Sequence, residues 1–192
     1  KAVSQPAEKV SDQGEVYCPW KASLNLDTAD WPEGGYLIVL RSAGKWKYIP
    51  LTLRSKTTAD KLVLVHATTT YQAYNQWGGY SLYKGPNGTL ATRAHRVSFH
   101  RPYDSTGAEK FVSFDMVVTQ RAERLGLPLA WLTSYDLETP DILTDALGVV
   151  SLGHDEYVSV PMRDALESAR DAGTNLAFLG GNAVYWRIRF AD

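Results

Sequence analysis

Cysteine occurs only once in this sequence, at Cys18. A lone thiol excludes an internal disulfide and any cysteine-based metal cluster. It suits a reducing compartment, and a cytoplasmic location is the expectation. Long apolar runs are also missing, and no stretch approaches the ~20 residues that carry a helix across a bilayer. Nor is there an excess of one charge. Lys and Arg number 20 against 21 Asp and Glu, for a net charge of −1. With both signs interspersed, no field favours nucleic acid or an anionic membrane, and neither is expected as a partner.

Several catalytic signatures are absent as well. There is no His-x-x-x-His, zinc-type cysteine spacing, Walker loop or Gly-x-Gly-x-x-Gly. Gly78-Gly79 and Gly180-Gly181 are too sparse to argue for phosphate binding. No initiator methionine leads the chain; it begins at Lys1 without a signal-peptide pattern. Little sequence follows the last expected strand, so we expect a piece of a longer polypeptide.

Much else is present. Hydrophobic residues make up 44% of the 192, enough for a real core in one large domain or two small ones. Residues 1–14 form a polar segment. From 15 to 56 the signals are for strands. Tyr36 to Leu40 and Lys47 to Leu53 flank a Gly44-containing turn, a hairpin signature. These strands lead us to expect part of a small β-sandwich.

Residues 57–192 follow a different grammar. Short apolar runs at Leu62 to His66, Leu129 to Leu132, Leu147 to Leu152 and Leu176 to Leu179 suit strands buried on both faces. Between them, Glu109 to Leu125, Asp136 to Ala146 and Ser159 to Ala172 read as helices. Ser159 is a plausible cap for the last, with Pro161 early in it and Gly173 at its close. Alternating strands and helices give an α/β domain: an open parallel sheet with flanking helices and right-handed crossovers, glutamine-amidotransferase-like or flavodoxin-like.

Open parallel sheets bind ligands beyond the carboxyl ends of their strands. Those exits carry His66 and Ala67; Thr133 to Asp136; Gly153, His154, Asp155, Glu156 and Tyr157; and Gly180, Gly181 and Asn182. The turn from Gly153 to Tyr157 is the richest. Asp155 and Glu156 could simply cap the next helix, where the dipole favours anions. Capping does not account for imidazole, two carboxylates and a phenol arriving together. No Ser or Cys occupies the turn, which argues against nucleophilic acyl transfer. Acid–base chemistry remains, or a hard metal held by oxygen.

The connection from Ala67 to Tyr103 is far longer than the ~2–6 residues usual after a strand. Five aromatics fall between Tyr71 and Tyr83. They could wall a pocket and lend phenol oxygens, or cover a hydrophobic patch of their own. Phenolates with Glu156 would make an oxygen-rich set suited to ferric iron.

The run Tyr71-Gln72-Ala73-Tyr74-Asn75-Gln76-Trp77-Gly78-Gly79-Tyr80-Ser81-Leu82-Tyr83 resembles the N,N-dimethylformamidase large (beta) subunit family, in its C-terminal domain. So do Ser98 to Tyr103, Gly153 to Tyr157, Met162 to Ala165 and Asn175 to Asn182. The resemblance covers about residues 30–190. It implies a bacterial amidohydrolase acting on a linear amide, with a mononuclear non-haem iron held by two tyrosine oxygens and one glutamate. Glu156 matches the glutamate and His154 a histidine that supports it. Tyr74 matches one tyrosine, with Tyr71 as competitor. Tyr36 is the choice for the other, ahead of Tyr48. Asn182 matches a substrate-side asparagine, and a further acidic residue of the family would fall beyond Asp192. The implied partners are a small amide substrate, a small subunit or a homo-oligomer, and the remainder of a longer chain. Competing readings keep the fold: a non-catalytic module binding a carbohydrate or other small ligand, or a metal-dependent hydrolase of a larger amide.

Overall fold

A computed structural model describes residues 4–191; residues 1–3, which lead the polar N-terminal segment, and 192 lie outside the described part. In chain order the elements are β1 (Lys9–Val10), β2 (Val16–Tyr17), β3 (Gly34–Ser42), β4 (Lys45–Leu53), β5 (Leu62–His66), α1 (Thr68–Tyr74), α2 (Met116–Arg124), β6 (Leu129–Thr133), β7 (Gly148–Ser151), β8 (Tyr157–Val158), α3 (Val160–Asp171), β9 (Asn175–Phe178) and β10 (Trp186–Arg187). The chain divides into two units, Lys1–Trp31 with Gln72–Gly107, and Pro32–Tyr71 with Ala108–Asp192.

The second unit is mixed α/β. Its main sheet is parallel and four-stranded, in the order β6-β5-β7-β9. Alternation along β5 explains the layering. Val63 and Val65 point to a core with Leu132, Met162 and Leu166, which α3 covers. Leu64 points the other way, to Trp131, Leu152 and Ala122 of α2. A strand dressed on both sides needs apolar residues at every position, which is why these runs do not alternate. β9 is the exception: it lies at the sheet edge, and Phe178 is exposed.

Ser159 caps α3 through Met162 N–H, Pro161 sits in its first turn, and Gly173 follows at a positive φ. The expected helix over 136–146 is not formed. A short 3-10 turn, Ser134–Glu138, is capped by Thr133, and turns follow. Pro140 has no N–H to extend a helix, and Asp141 and Asp145 take the left-handed conformation. The helix expected from Glu109 opens as a π-turn, Phe111–Asp115, before α2.

β3 and β4 pair antiparallel along their whole length, from Gly34 with Leu53 to Ser42 with Lys45. Ala43 and Gly44, both at positive φ, close a two-residue turn of the type that matches strand twist. This hairpin and the β1–β2 ladder are separate two-stranded sheets.

In the first unit, the guanidinium of buried Arg101 gathers the aromatic run. It donates to the carbonyls of Gln72, Asn75, Trp77 and Tyr80. Burial pushes its pKa down to about 10, so it remains a cation at neutral pH. The run therefore coils around an internal charge, with Tyr74 stacked on Tyr83 at 4.4 Å and Trp20 edge-on to Trp77 at 6.1 Å.

Candidate functional site at the exit of the third parallel strand

In sequence order the parallel strands are β5, β6, β7 and β9, and in space they run second, first, third, fourth. The order of strand addition therefore reverses at β5, and in open parallel sheets the ligand crevice lies at such a point, here the carboxyl ends of β5 and β7. The exit of β7 lies there. Gly153 has φ +59°, and a Cβ on it would lie 2.4 Å from Phe114 Cβ. Only glycine lets the chain leave β7 against the π-turn. Gly180 is held just as closely, since its Cβ would overlap the Gly153 carbonyl oxygen. The exits of β7 and β9 thus cross in contact.

That crossing sets the imidazole. His154 Nδ1 lies 2.9 Å from the Gly181 carbonyl oxygen and Nε2 lies 3.1 Å from Glu156 Oε2. A carbonyl only accepts, so Nδ1 carries a proton, and the Nε2 contact with a carboxylate also requires one between them. The Glu156 side chain is buried, and its backbone N–H donates to Thr70 Oγ1 at 2.9 Å. Thr69 Oγ1 donates to the Tyr157 carbonyl, and Ser134 Oγ lies 3.0 Å from Thr69 Oγ1. Hydroxyls from the exits of β5 and β6 therefore hold the backbone of the β7 exit around Glu156. Sequence reasoning missed them; the signal was three consecutive threonines, Thr68 to Thr70, directly after a buried strand.

Asp155 is no helix cap. It is buried, accepts from Ser151 Oγ at 3.0 Å, and has Oδ1 without a hydrogen-bond partner. Burial raises its pKa to about 6. Asp115, which the sequence did not single out, is also buried: the Tyr71 phenol donates to Oδ2, and Oδ1 has no partner. Burial chiefly, with the charge of Asp155, raises its pKa to about 7. His66 is held neutral by burial, with its pKa near 4 and Nδ1 2.8 Å from Thr52 Oγ1.

Of the residues singled out from sequence, His154, Glu156 and the Gly181–Asn182 turn come together; Asn182 is in the left-handed conformation. Tyr36 lies on β3, where its hydroxyl donates to the Pro32 carbonyl. Tyr48 packs on Trp46. Tyr74 belongs to the other unit. A cavity of about 760 Å³ between α3 and β9 is lined by other residues, including Arg163, Arg170 and Phe178.

Among the described residues no group of three or more His, Cys, Asp or Glu is placed to hold a metal. A hard cation at Glu156 would thus need phenol, amide or backbone oxygen to complete its shell. The buried carboxylate, steadied by an imidazole itself bonded to a carbonyl, fits such an ion. The Tyr36 hydroxyl would have to leave the Pro32 carbonyl to join it.

These features define a doubly covered parallel α/β domain with a carboxylate–imidazole pair at a strand exit. The chain belongs to the N,N-dimethylformamidase beta subunit-like, C-terminal family, whose match spans residues 1–192. No curated protein matches it significantly. Among the described residues no helix is long and apolar enough to cross a membrane.

Proposed function

We propose that this chain contributes the catalytic centre of an amidohydrolase that splits a small linear amide, of the N,N-dimethylformamide kind, into a carboxylic acid and an amine. The observation that carries this reading is the Glu156 carboxylate, buried and fixed by His154 at the crevice beside β5, in a chain of this family. Strand order supports a flavodoxin-like arrangement, in which that crevice is the binding position.

In this reading Glu156 would hold a mononuclear iron as its carboxylate ligand. Tyr36 and Tyr74 are the phenol ligands that the family resemblance suggests. When bound, the iron supplies Lewis acidity towards the amide carbonyl and a water. His154 orients the carboxylate and holds a proton at Nε2, within reach of a departing amine. Asn182, next to the carbonyl that anchors His154, offers its side-chain amide to the substrate. The apolar layers on both sheet faces hold in place the strand ends that carry these groups.

Elemental analysis and visible absorption of the purified chain test this directly. Iron with a phenolate charge-transfer band is the expected result, and neither would be seen if the reading were wrong. Glu156→Ala should lose both iron and amine release; retained iron would show that another group is the ligand.

A further inference from the structure

The β3–β4 hairpin has an asymmetry in its two free edges that bears on assembly. Its base is tied into the α/β unit, through Thr52 to His66 and Ser55 to Trp131. Its outer half is bare. Val39 is 43% exposed, Leu40 49%, Trp46 50% and Ile49 42%, so apolar groups meet solvent along the outer part of the ribbon. A two-stranded ribbon with that much apolar surface in water is at best marginally stable on its own.

Backbone bonding follows from the turn. With Ala43 and Gly44 as a two-residue loop, Ser42 and Lys45 exchange bonds, and so do Leu40 with Lys47 and Ile38 with Ile49. Leu37, Val39 and Arg41 therefore turn their N–H and C=O away from β4, to an edge that no described strand pairs. On β4 the corresponding outward position, opposite Leu37, is Pro50. Proline has no N–H, so it blocks strand addition at that edge. The β3 edge, from Leu37 to Arg41, carries no such guard in its apolar stretch.

We propose that the β3 edge pairs with the β3 edge of a second copy of this chain, antiparallel about a two-fold axis at Val39. A four-stranded sheet β4-β3-β3-β4 results. This inference does not depend on the proposed reaction. Its pairing is self-complementary. Val39 faces Val39, Leu37 faces Arg41, and Ile38 faces Leu40, so no cation lies opposite a cation. Charge favours the same occupant. From Gly34 to Ala59 there are five basic residues and no acidic one. From Ala108 to Asp192, thirteen acidic residues stand against seven basic ones, and the acidic excess remains when buried Asp115, Asp155 and Glu156 are set aside. Antiparallel pairing directs each basic tip, with Arg41, Lys45 and Lys47, towards the body of the other copy and its acidic α/β segment.

Sedimentation of the full chain tests the proposal. The wild type should sediment at twice the 21.3 kDa of one chain. Val39→Pro removes an outward N–H that the hairpin itself does not use, and should halve the mass. Tyr48→Pro, at the outward position on the guarded strand, should leave the dimer. As an independent reading, Val39→Cys should form a disulfide-linked dimer when an added copper(II) oxidant takes the two thiol electrons; Tyr48→Cys should not. A monomeric wild type overturns the proposal. So does a dimer whose Val39→Cys form fails to cross-link, or a monomer that floats with anionic phospholipid vesicles through its basic tip.

Discussion

Asp115 occupies the π-turn that faces Gly153, with one carboxyl oxygen bonded to the Tyr71 phenol and the other without a partner. Burial is the main reason its pKa stands near 7 instead of the usual carboxylate value. Such a group keeps its proton in the folded chain over a range where the unfolded chain has released it. Its contribution to stability is complete below about pH 4 and is lost as the pH rises through about 7. Asp115→Asn keeps an acceptor for Tyr71 but cannot ionise. Thermal unfolding should show the wild type losing more stability than this variant between about pH 5 and about pH 8. Parallel pH profiles would mean that the Asp115 carboxyl is ionised at no such cost. Nothing in the sequence marked this residue. It sits where an amphipathic helix was expected, and the added residue per turn in the π-turn aims it at the β7 exit.

At the scale of elements, the motif from Ser98 to Tyr103 gains a physical role. Arg101 gives its guanidinium to four carbonyls of the aromatic run, so that run is built around a buried cation. Arg101→Met would keep most of the volume and leave those carbonyls short of a donor. A loss of at least about 3 kcal/mol is expected, since each unsatisfied buried group costs about 1–3 kcal/mol. Chemical denaturation measures it, and a loss below about 1 kcal/mol would show that water replaces the guanidinium freely. The parallel strands, the hairpin and α3 were legible because their signals are local: unbroken apolar runs, a glycine turn, a serine cap and a closing glycine. Helix α1 was not. Its Thr68-Thr69-Thr70 opening has poor helical propensity, and its hydroxyls bond to Ser134 and to the residues after β7, partners distant in the chain. The stretch after Asp136 failed for the opposite reason, a helical pattern cut short by Pro140.

On the scale of the whole molecule, a net charge of −1 concealed a strong separation between a basic hairpin and an acidic α/β segment. If paired hairpins carry the basic tips towards acidic partners, added salt should weaken the association. Sedimentation in dilute and concentrated salt should show dissociation rising with ionic strength; an association strengthened by salt would assign it to apolar contact alone. At the candidate site, the sequence made visible which residues leave the sheet, since strand ends follow from the apolar runs. It did not show that Gly153 and Gly180 touch, because close approach of two backbones depends on sheet order, and order is not written in any one strand. That crossing has a consequence for anyone reshaping the crevice. In the proposed reaction, the loop that would offer Asn182 to a substrate also supplies, through Gly181, the carbonyl that sets His154. Lengthening it to admit a bulkier amide would release the imidazole at the same stroke, so breadth of substrate and firmness of the Glu156 carboxylate are geared together and cannot be tuned separately.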